Sequence, residues 1–332
     1  MADGPRVGLV LGAGGVVGHA FHAGVLSALA AETGWDARDA EVIVGTSAGS
    51  VVGALLRSGA SAPDLYARAT GAPLSPAGRK LVQRAESGPA PLGPIPSRPE
   101  RRRVPAMAAA PGALVHAARR PWSVRPGALA AALLPAGRVP TELVAANLRP
   151  LFDSWPQPAL WINAVELDTG RLVTFGRDPE RRAVVADAVA ASCAIPSFFA
   201  PVSIDDVRYV DGGVHSPTNA DLLGGLELDL VVVSSPMSIA PRGPRLAADQ
   251  PARRWARILL AREVARVRRS GTPVITFQPT AADLAVMGFN AMEESRRAPV
   301  ARQALASARS RIESSRARER LAVLSRSTSR PA

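Results

Sequence analysis

The stretch Glu41-Val42-Ile43-Val44-Gly45-Thr46-Ser47-Ala48-Gly49-Ser50-Val51-Val52-Gly53 decides how this chain is read. Val42 to Val44 is a short apolar run with the β-branched content of a buried strand. A turn of small residues follows, and then a helix-like run that ends near Gly59, a natural helix C-cap. Within the turn, Gly45-Thr46-Ser47-Ala48-Gly49 matches G-x-S-x-G, with the preceding strand and following helix that this pattern needs. Such a turn presents a serine hydroxyl at the positive end of a helix, where developing negative charge is favoured. The plainer reading is a glycine turn that happens to hold a serine, because small residues are common in turns.

The same arrangement occurs once more, upstream. Val7 to Leu11 reads as a strand, Gly12-Ala13-Gly14-Gly15-Val16-Val17-Gly18 as a glycine loop, and Gly18 to Glu32 as a helix. Two strand–turn–helix units predict an α/β protein with a mainly parallel central sheet flanked by helices. The loop is no dinucleotide fingerprint, since G-x-G-x-x-G needs a third glycine where Val17 stands. Backbone amides at Gly14 and Gly15 suit an oxyanion instead. Val7 to Ala31 carries no charged residue, and Ala28-Leu29-Ala30 mimics a signal-peptidase site. Six glycines and two histidines interrupt that run, so neither a secretory signal nor a membrane helix is expected.

Composition narrows the chemistry. The chain has 332 residues, 47% of them hydrophobic, and a single cysteine, Cys193. No intramolecular disulfide can form, which suits a reducing compartment and a cytoplasmic location. His19, His22, His116 and His215 form no HExxH pattern and there is no CxxC, so neither a metal nor a cofactor is expected. The net charge of +12 is uneven: residues 79–138 carry +9 and residues 296–330 carry +8. These segments offer peripheral contact with an anionic membrane. The plainer reading is a solvated, arginine-rich surface, Lys80 being the only lysine. Nucleic-acid binding is not expected, because Trp122 is the only aromatic in the first basic segment and no recognised module is present.

Beyond Gly71 the organisation fades. Residues 72–138 are rich in Pro, Ala and Arg, and six prolines between Gly88 and Pro105 exclude regular helix or central strand there. This segment reads as a mobile insert or lid with short helices near Gly112–Arg119 and Gly127–Leu134. Trp161–Glu166 and Arg171–Phe175 read as a hairpin, Ala183–Ala191 as a helix, and Val207–Val210, Leu228–Val233 and Val274–Phe277 as strands. Ala252–Val267 reads as a surface helix with Trp255, Ile258, Leu259 and Val267 turned to the sheet. Residues 296–332 read as a basic helix that frays.

A nucleophilic serine needs a base. The usual order Ser, Asp or Glu, His leaves only His116 and His215 after Ser47, and His116 falls in the insert. Asp211, at a strand end before Gly212 and Gly213, is a further candidate that takes the proton directly. Its plainer role is the first half of an Asp-Gly turn.

Taken together, the glycine loop after the first strand, the G-x-S-x-G after the second and the Asp211-Gly212-Gly213 far downstream resemble the patatin-like phospholipase family. His22-Ala23-Gly24-Val25-Leu26 and Ala191-Ser192-Cys193-Ala194-Ile195-Pro196 are similar to that family's supporting text. The likeness covers residues 6–71 and 160–235. It implies a three-layer α/β/α catalytic domain over 1–71 and 139–290, with 72–138 as insert and 291–332 as basic helical tail. It implies Ser47 as nucleophile, Asp211 as base, and amides of Gly14, Gly15 and Val16 as oxyanion donors. Gly12, Gly18, Gly45, Gly49, Gly212 and Gly213 are the motif glycines. The substrate implied is a lipid acyl ester, cleaved through an acyl-serine. The family's loop usually reads G-G-G-x-[RK]-G, so Ala13 and Val17 are departures. Val17 removes a cation, which keeps open a catalytically weak or inactive lipid-binding member, and acyl transfer to an alcohol is a further alternative.

Overall fold

The computed structural model describes residues 4–88, 109–110, 126–240 and 250–325. Eight strands form one sheet: β1 (Val7–Leu11), β2 (Val42–Thr46), β3 (Ala159–Glu166), β4 (Leu172–Phe175), β5 (Val202–Ile204), β6 (Val207–Asp211), β7 (Leu230–Ser234) and β8 (Val274–Phe277). The described helices are α1 (Gly15–Thr33), α2 (Ala48–Arg57), α3 (Ala62–Thr70), α4 (Pro76–Glu86), α5 (Pro126–Leu133), α6 (Glu142–Ala145), α7 (Val185–Ser192), α8 (Gln250–Arg269), α9 (Ala281–Met287), α10 (Arg297–Glu313) and α11 (Ser315–Ser325). The hydrogen-bonded path is β5-β6-β3-β2-β1-β7-β8, with β4 also on β3. β1, β2, β3, β7 and β8 run parallel, whereas β4 and β6 pair antiparallel with β3.

Side chains alternate across the parallel strands and define three layers. Leu9, Leu11, Ile43, Leu160, Ile162 and Val232 face the larger core, against α1, α2, α7 and α10. Val10, Val42, Val44, Val231, Val233 and Val274 face the other side, against Leu260, Val264 and Val267 of α8. A central strand buried on both faces needs apolar residues at every position. β1, β2 and β7 are fully buried along their length.

Register fixes the level of the site. Ile162 and Asn163 of β3 pair with Gly45 and Thr46 on one edge and with Phe175 and Thr174 on the other. Ala164 and Val165 also pair with β4, so Asp211 and Val210 must occupy the β2 edge beyond its end. β2 and β6 therefore meet end to end along β3, with Thr46 opposite Asn163 and Asp211 opposite Ala164.

Three expectations need correction. α1 starts at Gly15, three residues before the expected Gly18, because Gly14 already serves as its N-cap. α8 has a different inward face: Trp255 is 53% and Ile258 45% exposed, while Arg253, Ala256, Leu260, Glu263, Val264 and Val267 are buried. Arg253 and Glu263 tolerate burial because each is hydrogen-bonded. Arg253 donates to the Pro236 carbonyl at 2.8 Å, and Glu263 accepts from the Ser216 and Thr218 hydroxyls and the Ala220 amide. The C-terminal stretch, expected as a basic helix that frays, is packed over α10. Val300, Ala301, Ala304, Ala308 and Ile312 of α10 are buried in the main core, and a Cβ on Gly24 of α1 would lie 2.4 Å from the Ala301 carbonyl oxygen. That close approach is what the small residues permit.

In the insert, α4 is an amphipathic helix not expected from the sequence, and α5 matches the second expected helix to within a residue. The expected helix at Gly112–Arg119 lies outside the described residues, as does the proline-rich stretch after Gly88.

Candidate active site

Ser47 leaves β2 with φ 53° and ψ −120°, a conformation rarely adopted by a residue with a side chain. The turn survives because its surroundings fix it. The Ser47 amide donates to Ser192 Oγ at 2.9 Å, and Ser50 Oγ donates to the Ser47 carbonyl at 2.7 Å. Thr46 Oγ1 accepts from Asn163 Nδ2 at 3.2 Å and from Asn219 Nδ2 at 3.1 Å. Gly49 is dictated by proximity, since a Cβ there would lie 1.9 Å from the Leu11 carbonyl oxygen. The Ser47 hydroxyl makes no capping bond to α2, although Ser47 is the N-cap residue.

Asp211 comes off β6 facing that hydroxyl. Its amide donates to the Ala194 carbonyl at 2.9 Å, and its Oδ1 accepts from the Gly213 amide at 2.7 Å. Burial raises its pKa from 3.8 to about 6, against the smaller lowering effects of the Ser47 hydroxyl and the Gly213 amide. Among the described residues the groups acting on this carboxyl are Ser47 and Gly213, and no histidine is among them. His215 lies four residues on, at the end of the short 3-10 turn Gly212–Val214. His116 lies outside the described residues.

The glycine loop comes off β1 at the same level, because Leu11 pairs with both Gly45 and Ser234. Its amides divide into two groups. Gly12 donates to the Ser234 carbonyl, Ala13 to Pro217, Val17 to Ala291 and Gly18 to Gly14. Those of Gly14, Gly15 and Val16 have no acceptor among the described residues. They stand at the start of α1, where helix amides lack internal partners and the dipole is positive. Gly15 has φ +59°, and a Cβ there would meet the Ala291 carbonyl oxygen at 2.7 Å.

His22 holds this loop from below. Its Nε2 lies 2.8 Å from the Gly12 carbonyl and its Nδ1 2.8 Å from Ser234 Oγ. A carbonyl only accepts, so Nε2 carries the proton and Nδ1 accepts from the serine hydroxyl. Burial lowers the His22 pKa to about 4, so it is neutral at pH 7. Cys193 is buried, and its pKa is pushed up by burial and then by Asp211, which makes it a poor nucleophile.

The structure brings Ser47 and Asp211 together and places Gly14, Gly15 and Val16 on the loop beside them, whereas neither His116 nor His215 is seen acting on Ser47 or Asp211 among the described residues. Sequence reasoning passed over Ser192, Asn163, Asn219 and His22 as positioning residues. Ser192 and His22 sit in stretches already noted as supporting text. Asn163 and Asn219 had no local signal. No group of three or more His, Cys, Asp or Glu able to hold a metal occurs among the described residues. No helix there is long and apolar enough to cross a membrane.

A mainly parallel sheet with a strained serine between strand and helix, an aspartate at the facing strand end and a glycine loop alongside defines a class of α/β protein. The patatin-like phospholipase model matches residues 9–223, and the chain belongs to that family. No curated protein matches the chain. Among solved structures, it is similar to VipD from Legionella pneumophila at 12% identity and a TM-score of 0.41, over 92% of this chain and 66% of that one. It is also similar to the type III effector protein ExoU at 18% identity and a TM-score of 0.36, over 96% of this chain and 54% of that one. The chain therefore spans just under two thirds and about half of the lengths of these two proteins.

Proposed function

We propose that the chain is a serine hydrolase of lipid acyl esters, working through Ser47 and Asp211 and an acyl-serine intermediate. One observation carries the reading: a serine hydroxyl free of capping duty faces a desolvated carboxyl with a pKa of about 6, beside three uncommitted amides. At pH 7 most of the Asp211 carboxyl is ionised, yet it is basic enough to accept a proton.

In the first half-reaction Ser47 Oγ attacks the ester carbonyl carbon while its proton passes to Asp211. The carbonyl oxygen takes the negative charge and accepts from the amides of Gly14, Gly15 and Val16. Collapse breaks the bond to the alcohol oxygen, which leaves with the proton from Asp211. In the second half, Asp211 takes a proton from water as its oxygen attacks the acyl carbon. Collapse returns that proton to Ser47 and frees the fatty acid. Two functions of a triad, base and acid, thus reside in one carboxyl, and His22 is left to hold the loop.

Mass spectrometry after treatment with a fluorophosphonate probe tests this reading. The expected result is an adduct on Ser47 in the wild type and none in Ser47→Ala. A folded wild-type chain that stays unlabelled, or one labelled elsewhere, refutes it.

A further inference from the structure

Helix α8 carries two buried charged residues, Arg253 and Glu263, and both bind segments that border the active site. Arg253 donates to the Pro236 carbonyl at 2.8 Å. Pro236 in turn stands against the glycine loop, with its Cβ 3.0 Å from where a Cβ on Gly14 would lie. Glu263 gathers three donors from one short segment. The Ser216 hydroxyl donates to Oε1, and the Thr218 hydroxyl at 2.5 Å and the Ala220 amide at 2.9 Å donate to Oε2. Its neighbours in the smaller core are Leu260, Val264, Ala220 and Leu223. Burial is the first cause that raises its pKa, the Ser216 and Thr218 hydroxyls work against that, and the charged group acting on it is Asp221, of like sign. An apolar side chain at this place would avoid the desolvation of a carboxylate. What the carboxylate adds is its grip on residues 216–220.

That segment is where the three parts of the site meet. The Ser216 amide donates to the Gly212 carbonyl at 3.2 Å, which ties the segment to the turn after Asp211. Asn219 Nδ2 donates to Thr46 Oγ1 at 3.1 Å, one residue before Ser47. The Pro217 carbonyl accepts from the Ala13 amide at 2.8 Å, at the base of the loop that carries the three uncommitted amides. The fit on that side is close: a Cβ on Gly12 would lie 3.0 Å from the Pro217 carbonyl oxygen and 3.2 Å from Thr218 Cγ2. Asn219 has φ +51°, in the left-handed region, so backbone preference alone does not hold this shape. The bonds to Glu263 supply what the backbone does not.

We propose that Glu263 is a positioning residue of the active site: through Ser216, Thr218 and Ala220 it sets the Asp211 turn, the Ser47 turn and the glycine loop against one another. The role in turnover rests on the hydrolase reading; the hold on the loop does not. Glu263 touches none of the reacting atoms and acts through the segment that it binds. Release of that segment should lower kcat with little change in KM, since a misplacement of about 1 Å costs roughly a hundredfold in rate. Glutamine is the conservative replacement. Its carbonyl oxygen still accepts from Thr218 and Ala220, and its amide donates to the Ser216 hydroxyl, which can accept as well as donate.

The test compares full-length wild type with Glu263→Ala, Glu263→Gln and Val267→Ala. Val267 is buried in the same core on the same helix, so its truncation loosens α8 without touching the three bonds. Two quantities are read: turnover of a soluble ester per serine labelled by a fluorophosphonate, which corrects for unfolded protein, and hydrogen exchange of the Ala13 amide. In Glu263→Ala, kcat per labelled serine should fall by about tenfold or more with KM nearly unchanged, and the Ala13 amide should lose protection. Glu263→Gln should restore most of both, and Val267→Ala should keep both despite a lower Tm. Should Glu263→Ala fail to fold, Thr218→Val, which keeps the shape and removes one donor, is read for the same two losses. A wild-type kcat per labelled serine in Glu263→Ala, a change confined to KM, or an equal fall in Val267→Ala overturns the proposal. So does an Ala13 amide as well protected in Glu263→Ala as in wild type. Wild-type protein that is neither labelled nor active sinks the hydrolase reading, and the exchange result then decides by itself whether Glu263 holds the loop.

Discussion

Asp211→Asn should make the protein more stable and less active, and the gain should depend on pH. The Asp211 carboxyl is 5% exposed. Its pKa is about 6 in the folded chain against an ordinary 3.8, and burial is the first cause. A carboxyl whose folded pKa is raised binds its proton more tightly in the native state. Its contribution to stability is fully present below the unfolded value and is lost as pH rises through about 6. Above that, the native chain holds an ionised, desolvated carboxylate. The difference of about two pKa units, at about 1.4 kcal/mol each, puts the cost near 3 kcal/mol. Asparagine has the same shape and accepts the Gly213 amide without the charge. The variant should therefore be about 3 kcal/mol more stable at pH 8 and close to wild type at pH 3.5. Unfolding entropy of roughly 2 cal/mol/K per residue converts this to a rise in Tm of about 4 °C at pH 8. Calorimetry of both proteins at the two pH values measures it, alongside hydrolysis of a soluble ester, which should fall by at least about a hundredfold in the variant, in line with the loss of a general base. A variant that is less stable at pH 8, or that differs from wild type by the same amount at both pH values, would show that the carboxylate is not a desolvated charge.

Other consequences are simpler. The wild-type kcat/KM for a soluble ester should rise with pH through a midpoint near 6, as Asp211 ionises. A midpoint that persists unchanged in Asp211→Asn would assign the base elsewhere. Gly49→Ala would place a methyl carbon 1.9 Å from the Leu11 carbonyl oxygen, in backbone that cannot yield. Its cost should reach or exceed about 3 kcal/mol, read as a lower urea midpoint or loss of soluble protein, and a wild-type midpoint would refute the close approach. Truncation after Ser295 removes α10 and uncovers the face of α1 that it covers. Val300 and Ile312 alone contribute on the order of 1.5–3 kcal/mol each. The truncated chain should therefore lose its cooperative unfolding transition, and a chain that keeps it would show that α10 is not part of the main core.

The site was legible in the sequence where its signals are local. Val7–Leu11 and Val42–Val44 are short, apolar and closed by glycine turns, so strand, turn and helix follow within about twenty residues. Asp211 was legible for the same reason, at a strand end before two glycines. What failed to show was set by distant partners. Ser192 binds the Ser47 amide across 145 residues, and Asn219 reaches Thr46 across 173. A polar residue buried by such a contact looks like any turn or loop residue along the chain. On α8, the apolar Trp255 and Ile258 were expected to face the sheet, whereas nothing local marked Arg253 and Glu263 as buried. The folded chain supplies hydrogen-bond partners to the two charged residues, and the inward stripe passes through them. α10 misled through composition: arginines mark a solvated helix, whereas Ala301, Ala304 and Ala308 are the small residues that let it close on Gly24.

Val17, where the loop departs from the family's usual cation, bears on recognition more than on chemistry. Its side chain is 3% exposed and belongs to the main core. Its amide is committed to the Ala291 carbonyl, as those of Gly12 and Ala13 are to Ser234 and Pro217. His22 fixes the Gly12 carbonyl from the other side. None of these contacts involves the side chain at position 17, so the loop keeps its shape, and the amides of Gly14, Gly15 and Val16 keep theirs. A guanidinium or ammonium on the loop would add a charge close to the reacting ester, but the three proposed oxyanion donors are backbone groups that no change at position 17 removes. On that division, a substitution at Val17 should leave the acyl-serine chemistry in place, and substituting Ser47 or Asp211 should alter whether any ester is cleaved.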